Sequence, residues 1–140
     1  MGKTVVLAGG NGPDRTKIIK KYIDSKLSDG RVVIYDYTYG LISYNKFENV
    51  DYFCVDTCLS YIEKLTEILK CKENGDKNKL CIVTDAYGTL MYQSNMTKLF
   101  SAFFKNKDAY NFEILMSCRH LEYVPDYLQK LFDEVIEFDD

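Results

Sequence analysis

A glycine cluster between an apolar run and a basic segment is the first candidate site in the sequence. Gly9, Gly10 and Gly12 surround Asn11 and follow the apolar run TVVLA, residues 4–8. Glycine lets the backbone turn several N–H groups toward one point, and a helix that begins directly behind such a turn adds its own N–H groups and the positive end of its dipole. The cluster therefore predicts a phosphate-binding loop.

The loop departs from the phosphate-loop pattern G-x-x-x-x-G-K-[ST] at two positions. Gly9 matches the first glycine and Thr16 the final hydroxyl, but Asp14 replaces the second glycine and Arg15 replaces the lysine. Asp14 would repel a phosphate at ~4 Å by about 1–4 kcal/mol. Arg15 keeps the positive charge in a wider, planar group, and Lys17 is a second candidate cation. The same residues also allow a plain strand-to-helix turn in which Asp14 caps the helix.

Polar residues follow the other apolar runs. Asp85 comes directly after LCIVT, residues 80–84, where a carboxylate could hold Mg²⁺ through water or orient an attacking water, or could only cap the next loop. Arg119 and His120 follow a later run, where a cation could contact a terminal phosphate or could lie exposed in a loop. Asp36 ends the run RVVIYD, with capping or a salt bridge as its alternative role.

The elements that must position these residues alternate in type along the chain. Short apolar runs predict buried strands, and segments with helical spacing of apolar residues predict helices between them. Strands that are apolar on both faces indicate an α/β fold: a parallel, doubly wound sheet with helices on both faces, forming a three-layer sandwich. In such sheets ligands bind beyond the carboxyl ends of the strands, where every candidate residue falls. The predicted strands are 4–8, 31–35, 51–55, 80–84, 112–117 and 135–138; the predicted helices are 16–27, 59–71 (capped by Asp56 or Thr57), 95–104 and 125–132.

Length and composition restrict the class of protein. The 140 residues fit one domain, 1–140, and the net charge of −3 lacks the basic excess of a broad nucleic-acid surface, so DNA contacts would be local or built by an oligomer. Five irregularly spaced cysteines favour reduced thiols in a cytoplasmic protein. Cys54 and Cys58 lie far from His120, the single histidine, which disfavours a zinc site. No apolar stretch approaches ~20 residues, so we expect no membrane span.

The order of these segments resembles the P-loop NTPase core of the FtsK–HerA superfamily, which includes DNA translocases, viral genome-packaging ATPases and Zot-like proteins of filamentous phages. In that family the second strand ends in Asp before a small Gly/Tyr loop, as residues 36–40 do here. A strand ending in Asp-Glu-Ala is similar to Thr84-Asp85-Ala86, and a Ser-x-Arg segment followed by a Pro-x-x-Leu helix and a last strand is similar to residues 117–138. The resemblance covers nearly the whole chain and depends on the order of the segments.

The resemblance implies binding of ATP and Mg²⁺ at the carboxyl edge of the sheet. Thr16 and Asp85 would hold the metal, Asp85 would also position water, and Arg119 would contact the γ-phosphate or act across a subunit boundary. It also implies a homo-oligomer or a viral assembly partner, DNA contacts through that assembly, and a location in the host cytoplasm or the virion without a membrane. The residues that would surround the phosphates are Gly9, Gly10, Asn11, Gly12, Arg15, Thr16 and Lys17.

The departures from the family pattern leave the function open between alternatives. In one register Thr84 occupies the metal-side acidic position and Asp85 the catalytic one; in the other, Asp85 is on the metal side and Ala86 is at the catalytic position. Either way one acidic group is missing, and phosphoryl transfer depends on such groups for positioning and charge compensation. The chain is therefore either an ATP-binding domain with a degenerate phosphate loop or an inactive descendant that acts as a structural or assembly module. A small-molecule phosphotransferase is a third hypothesis, without a recognisable acceptor motif.

Overall fold

A six-stranded sheet, parallel at every neighbouring pair, organises the protein. The computed structural model describes residues 3–10, 12–36, 39–55, 57–85 and 94–138. The strand order is β3-β2-β4-β5-β1-β6. Each strand lies within one residue of its predicted bounds, which confirms the interpretation of the apolar runs. The strands are β1 (Thr4–Gly9), β2 (Arg31–Asp36), β3 (Val50–Cys54), β4 (Leu80–Thr84), β5 (Phe112–Cys118) and β6 (Glu134–Phe138).

The structure contains the three long helices that the sequence predicts, and some of the helix ends differ from the predicted ones. The first helix begins at Gly12 and not at residue 16, because glycine and proline form its first turn. The last one stops at Gln129, short of the predicted residue 132. Thr57 caps the second helix, since its Oγ1 accepts a hydrogen bond of 3.1 Å from the backbone N–H of Ser60. The α-helices are α1 (Gly12–Lys26), α2 (Cys58–Glu73), α3 (Ser94–Lys105), α4 (Lys107–Tyr110) and α5 (Asp126–Gln129), and short 3-10 helices span Ile42–Lys46 and Leu121–Tyr123.

The two faces of the sheet bury separate apolar cores, which confirms the doubly wound α/β sandwich. On one face, Ile19 and Ile23 of α1 pack against alternate residues of the central strands. On the other face, Tyr61 of α2 and Phe100 and Phe103 of α3 pack against the intervening residues. Because successive strand residues point to opposite faces, the strands β1 to β5 each contribute to both cores, and β6 contributes to the α1 face. The sheet is thus covered on both sides, as a parallel sheet requires.

The strand order brings the predicted site residues to one edge of the sheet. β5 lies between β1 and β4, with Ala8 opposite Cys118 and Thr84 opposite Met116. The carboxyl ends of these three strands therefore lie side by side. The glycine loop after β1 and Asp85 after β4 flank the end of β5.

A buried ionic cluster holds α1 to the opposite edge of the sheet. Glu113, which is 4% exposed, forms ion pairs with Lys26 at 2.7 Å and with Lys79 at 3.3 Å and accepts a hydrogen bond of 3.0 Å from the Tyr22 hydroxyl. Burial pushes the pKa of this carboxyl up, but the hydrogen bonds from Lys26 and Tyr22 and the charge of Lys26 outweigh burial and hold the pKa below its usual range. The ionised Glu113 therefore stabilises the folded state.

Replacing Glu113 by Gln is expected to lower the free energy of unfolding by about 1.5–3 kcal/mol at pH 7, because hydrogen bonds to a charged group are lost. A carboxyl whose pKa is depressed by folding stabilises the protein above its unfolded pKa, and that stabilisation disappears as the pH falls through the folded pKa. The difference between the wild type and the variant should therefore shrink below about pH 4. Urea denaturation at pH 7 and pH 3 measures it, with the exposed Glu63→Gln on α2 as the control. A loss of equal size at both pH values would contradict the ionic origin.

Candidate functional site

The glycine loop adopts a backbone that only glycine accommodates easily. Gly9 and Gly10 have φ values of +86° and +63°, and a Cβ on Gly9 would lie 2.5 Å from the backbone oxygen of Phe138 in β6. Gly12 opens α1, and a Cβ there would meet no described atom within 4 Å. The loop is therefore packed against β6, and Gly12 begins the helix whose first N–H groups are the kind of site at which an anion binds.

Arg15 folds back from α1 onto this loop. Its Nη1 donates to the backbone oxygens of Gly9 at 2.5 Å and Gly10 at 2.9 Å. Its Nε is buried and has no hydrogen-bond acceptor among the described residues. A buried donor without an acceptor is costly, so this N–H group is a candidate donor to a bound anion.

The other predicted loop residues have different surroundings. The Thr16 hydroxyl donates to the backbone oxygen of Gly12 at 2.9 Å, which leaves its oxygen lone pairs available. Lys17 is exposed on α1, and Asn11 lies outside the described residues. Asp14 is an exposed residue in the first turn of α1, which begins two residues earlier. The alternative in which Asp14 caps the helix stays a prediction; a carboxylate in the first turn also interacts favourably with the helix dipole.

Asp85 is a half-buried carboxylate on the α1 face of the sheet edge. Its backbone N–H donates to the Tyr35 oxygen at 2.9 Å. Burial raises the pKa of the carboxyl to about 6; Ser117 and the charge of Arg15 pull the pKa down, while the charge of Asp36 pushes it up. Asp85, Asp36 and Arg15 thus interact electrostatically at one place. The carboxylate is ionised at pH 7 at a free-energy cost that a bound cation would reduce.

Thr84 points to the other face of the sheet. Its side chain is fully buried, and its Oγ1 forms a hydrogen bond with the Tyr61 hydroxyl of α2. Neighbouring strand residues alternate between the two faces, so Thr84 and Asp85 cannot both face α1. Ala86 lies outside the described residues. Asp85 is consequently the residue of this pair that faces the glycine-loop helix.

Asp36 fixes the segment that follows β2. The carboxylate is fully buried and accepts hydrogen bonds from the backbone N–H of Leu41 at 2.9 Å and from the Tyr52 hydroxyl at 2.7 Å. Burial, followed by this hydrogen bond, raises the pKa of Tyr52. Sequence reasoning missed Tyr52 as a partner, although a buried carboxylate near several tyrosines should have prompted a search for a phenolic donor.

The end of β5 contributes Ser117 to the site, and Arg119 follows it at the same edge of the sheet. Ser117 is 1% exposed; its hydroxyl makes no hydrogen bond of full geometry with the described residues but lies close enough to Asp85 to lower the pKa of that carboxyl. The adjacent Cys118 faces the other core, and burial raises the pKa of its thiol to about 12. Arg119 is exposed one residue beyond the strand. Sequence reasoning named Arg119 and missed Ser117, which strand alternation from the buried Leu115 would have indicated.

Comparison with known proteins finds similarity in fold and none in sequence families. No protein-family model and no curated protein sequence matches the chain. Solved structures do match: the DNA-packaging ATPase B204 of Sulfolobus Turreted Icosahedral Virus is 21% identical, with a TM-score of 0.70 over 97% of this chain and 75% of B204. ATPases 2 and 3 of Thermomonospora curvata EccC, in complex with a signal sequence peptide, are 9% identical, with a TM-score of 0.72 over 84% of this chain and 25% of that one. The chain has the fold of these ATPases, which agrees with the predicted resemblance to the FtsK–HerA superfamily.

The proteins that share this fold have low sequence identity to the chain and are longer than it. The genome packaging NTPase B204 of Sulfolobus turreted icosahedral virus 2, in complex with ATP-gammaS, is 19% identical, with a TM-score of 0.65 over 98% of this chain and 74% of that one. The chain thus spans a quarter of the EccC chain and about three quarters of the B204 chains. Within the described ranges, no helix is long and apolar enough to cross a bilayer.

The described residues of the site fit the predicted binding of a phosphate group together with a metal ion. Arg15 offers an N–H group that has no acceptor among the described residues. In the described part of the chain, no group of three or more His, Cys, Asp or Glu side chains could hold a metal by itself. Mg²⁺ commonly binds through one or two carboxylates, several waters and the substrate phosphates. Asp85 and the Thr16 hydroxyl are the two protein ligands predicted for that mode.

Proposed function

We propose that this protein binds ATP, with its phosphates in the loop of residues 9–16. The observation that supports the proposal most directly is the Arg15 side chain. It lies against the Gly9 and Gly10 backbone oxygens and holds a buried Nε that has no acceptor among the described residues, in the first turns of a helix that begins directly behind the glycine loop. A phosphate oxygen would accept a hydrogen bond from this N–H group. Its negative charge would also be attracted to the positive end of the helix dipole.

Phosphate binding would rearrange the Arg15 guanidinium. Its Nη1 now donates to two backbone oxygens, and a phosphate would replace one or both of these neutral acceptors by charged ones. Hydrogen bonds from a guanidinium to a phosphate are about twice as strong as those to neutral groups. Arg15 would thereby supply the positive charge that a lysine supplies in the unmodified loop pattern.

Asp85 would act on the metal side of the nucleotide. It faces α1, where Thr16 and Arg15 are located, whereas Thr84 is turned away and bonded to Tyr61. This supports the register with Asp85 at the metal position and Ala86 at the position that orients water. Bound Mg²⁺ would neutralise phosphate charge. Because alanine has no group to orient the attacking water, we infer that hydrolysis is slow or absent.

An inactive structural or assembly module is the second candidate, and exposed apolar side chains favour it. Ile42, Tyr127 and Leu131 are 51%, 58% and 42% exposed, respectively. Such side chains suit contacts with another subunit or with a viral assembly partner. In a homo-oligomer the exposed Arg119 would be free to approach a neighbouring nucleotide site, and DNA would contact the assembly and not the acidic monomer.

Titration with ATP and Mg²⁺, followed by calorimetry and by thermal melting, tests the proposal. We expect saturable binding by the wild type and a loss of about 10–100-fold in affinity for Arg15→Ala, since charge-assisted hydrogen bonds contribute about 1.5–3 kcal/mol. Lys21→Ala is the matched control, because Lys21 is an exposed cation on the same helix. The double variant Asp14→Gly/Arg15→Lys, which restores the loop pattern, should bind more tightly than the wild type.

Two results would count against ATP binding. If the wild type and the double variant are both folded and neither shows binding heat or a shift in melting temperature at millimolar ATP, the structural module is favoured. Equal loss of affinity in Arg15→Ala and Lys21→Ala would mean that the nucleotide binds through surface charge and not in the loop. ATP turnover, measured on the same samples, separates slow hydrolysis from none.

A further inference from the structure

A cavity of about 530 Å³ lies on the α2 face of the sheet, away from the phosphate loop. It runs along α2 from Phe53 in the edge strand β3 to the amino ends of β2 and β4, at Arg31 and Leu80. None of the residues of the phosphate loop lines it. Its volume is within the range of small-molecule pockets, about 300–1,000 Å³.

The cavity combines an apolar wall with a charged rim. Phe53, Ile68 and Leu80 form the apolar wall, and the last two belong to the core between α2 and the sheet. Lys64 and Lys79 lie on the rim, with about a third of each side chain exposed. A ligand with an apolar body would bury that body against the wall and leave its polar parts near the rim.

Most of the lining cations already have partners. Arg31 is paired with Asp51, and the Lys79 ammonium lies 2.5 Å from the Asp29 carboxylate. Lys64 lies over the Phe53 ring, 5.0 Å from its centre. These residues would shape the entrance, but their charges are largely compensated within the protein.

Lys72 differs because its ammonium group is buried and incompletely satisfied. The residue is 4% exposed, and its Nζ donates to the Asn78 backbone oxygen at 2.5 Å. The Asp76 carboxylate is 3.9 Å away, beyond hydrogen-bonding distance. An ammonium has three N–H donors, and the described residues supply one acceptor for them. Burial lowers the pKa of this ammonium group, as expected for a cation that is incompletely compensated.

We propose that this cavity binds a small organic anion, with its acidic group on Lys72 and a flat apolar body against Phe53, Ile68 and Leu80. The acidic group would accept the remaining Lys72 N–H donors and compensate its charge. The ring of the ligand would pack against the apolar wall, including the edge of the Phe53 ring. The site is separate from the phosphate loop, so the proposal does not depend on ATP binding.

The probe is 8-anilinonaphthalene-1-sulfonate, a fluorescent aromatic anion, and the comparison is N-phenyl-1-naphthylamine, the same ring system without the sulfonate. Folded wild-type protein should bind one molecule of the anion per chain, with affinity at least about tenfold greater than for the neutral compound, because hydrogen bonds to charged groups carry that much. Saturating ATP should leave the binding unchanged. Equal binding of the two compounds, or displacement of the probe by ATP, would overturn the proposal.

Two variants locate the site. Lys72→Met should reduce affinity for the anionic probe about tenfold and leave the neutral compound unaffected. If Lys72→Met does not fold, Cys71→Trp tests the same site, because Cys71 is an exposed residue at the cavity and a bulky ring there should block both compounds. Lys70→Trp, at an exposed position outside the lining, is the matched control. Unchanged probe binding in a folded Cys71→Trp variant would place the probe elsewhere and refute the proposal.

Discussion

Replacing Asp85 by Asn is expected to stabilise the protein at pH 7 by about 1–3 kcal/mol. Folding raises the pKa of this carboxyl from 3.8 to about 6, chiefly through burial, and each pKa unit corresponds to about 1.4 kcal/mol. The folded state therefore binds more protons than the unfolded state between these values. Stability falls as the pH rises through this window and stays constant above it. Asparagine carries no charge to bury, but it also loses the attraction of Arg15, so the full difference is an upper limit.

The gain in stability of Asp85→Asn should depend on pH, and this dependence identifies the buried charge as its origin. At pH 7 urea denaturation should show the stabilised variant, and below about pH 3, where the wild-type carboxyl is protonated in both states, the two proteins should be equally stable. Asp126→Asn, at an exposed position, serves as the control. A variant that is less stable than the wild type at pH 7 would show that Asp85 contributes more through its contacts than burial costs. The same variant should bind Mg²⁺ and ATP together more weakly if Asp85 is the metal ligand that we propose.

Replacing Gly9 by Ala is expected to lower the free energy of unfolding by about 2–5 kcal/mol. A left-handed backbone costs an L-residue about 1–2 kcal/mol, and Gly9 has φ of +86°. The added Cβ would also lie 2.5 Å from the Phe138 backbone oxygen, so β6 would have to move. Forced shifts of packed backbone typically cost a further 1–3 kcal/mol, roughly.

Two other glycines separate these contributions. Gly75 has φ of +101° and free space around its Cβ position, so Gly75→Ala should show the backbone cost alone. Gly12 has free space and no left-handed φ, so Gly12→Ala should be close to neutral. Equilibrium denaturation of the three variants should rank them Gly9, Gly75, Gly12 in decreasing damage. If Gly9→Ala were no worse than Gly75→Ala, β6 would have to be free to move away from the loop.

The strands were predictable because they are buried on both faces. Runs such as residues 31–36 and 80–84 contain apolar residues at nearly every position, and in a chain that alternates strands with helices this pattern is typical of the central strands of a parallel sheet. The carboxyl-edge location of Asp36 and Asp85 followed from the same reasoning. The start of α1 was harder to predict, since glycine and proline in the first turn conceal the helical period that begins at residue 16.

The side-chain arrangement of the site was not predictable from local pattern. Arg15 turns back to the loop oxygens, and Thr84 turns to Tyr61, because of partners that only the folded chain brings within reach. Ser117 reaches Asp85 only because β5 lies between β1 and β4 in the sheet. Sequence spacing fixes which face of a strand a residue occupies, but the strand order, which no local signal encodes, decides what it meets there.

The position of β1 has a consequence for protein synthesis. Both of its neighbours come from the far end of the sequence: Thr4 lies opposite Ile114, and Gly9 lies opposite Phe138. A ribosome-bound chain that has not yet extended through β6 therefore leaves one edge of β1 without its partner, and before β5 emerges both edges are open. Contacts over such separations form late and slowly. The ATP site that we propose would consequently be absent from every shorter nascent chain, and the apolar β1 would need protection from aggregation during translation.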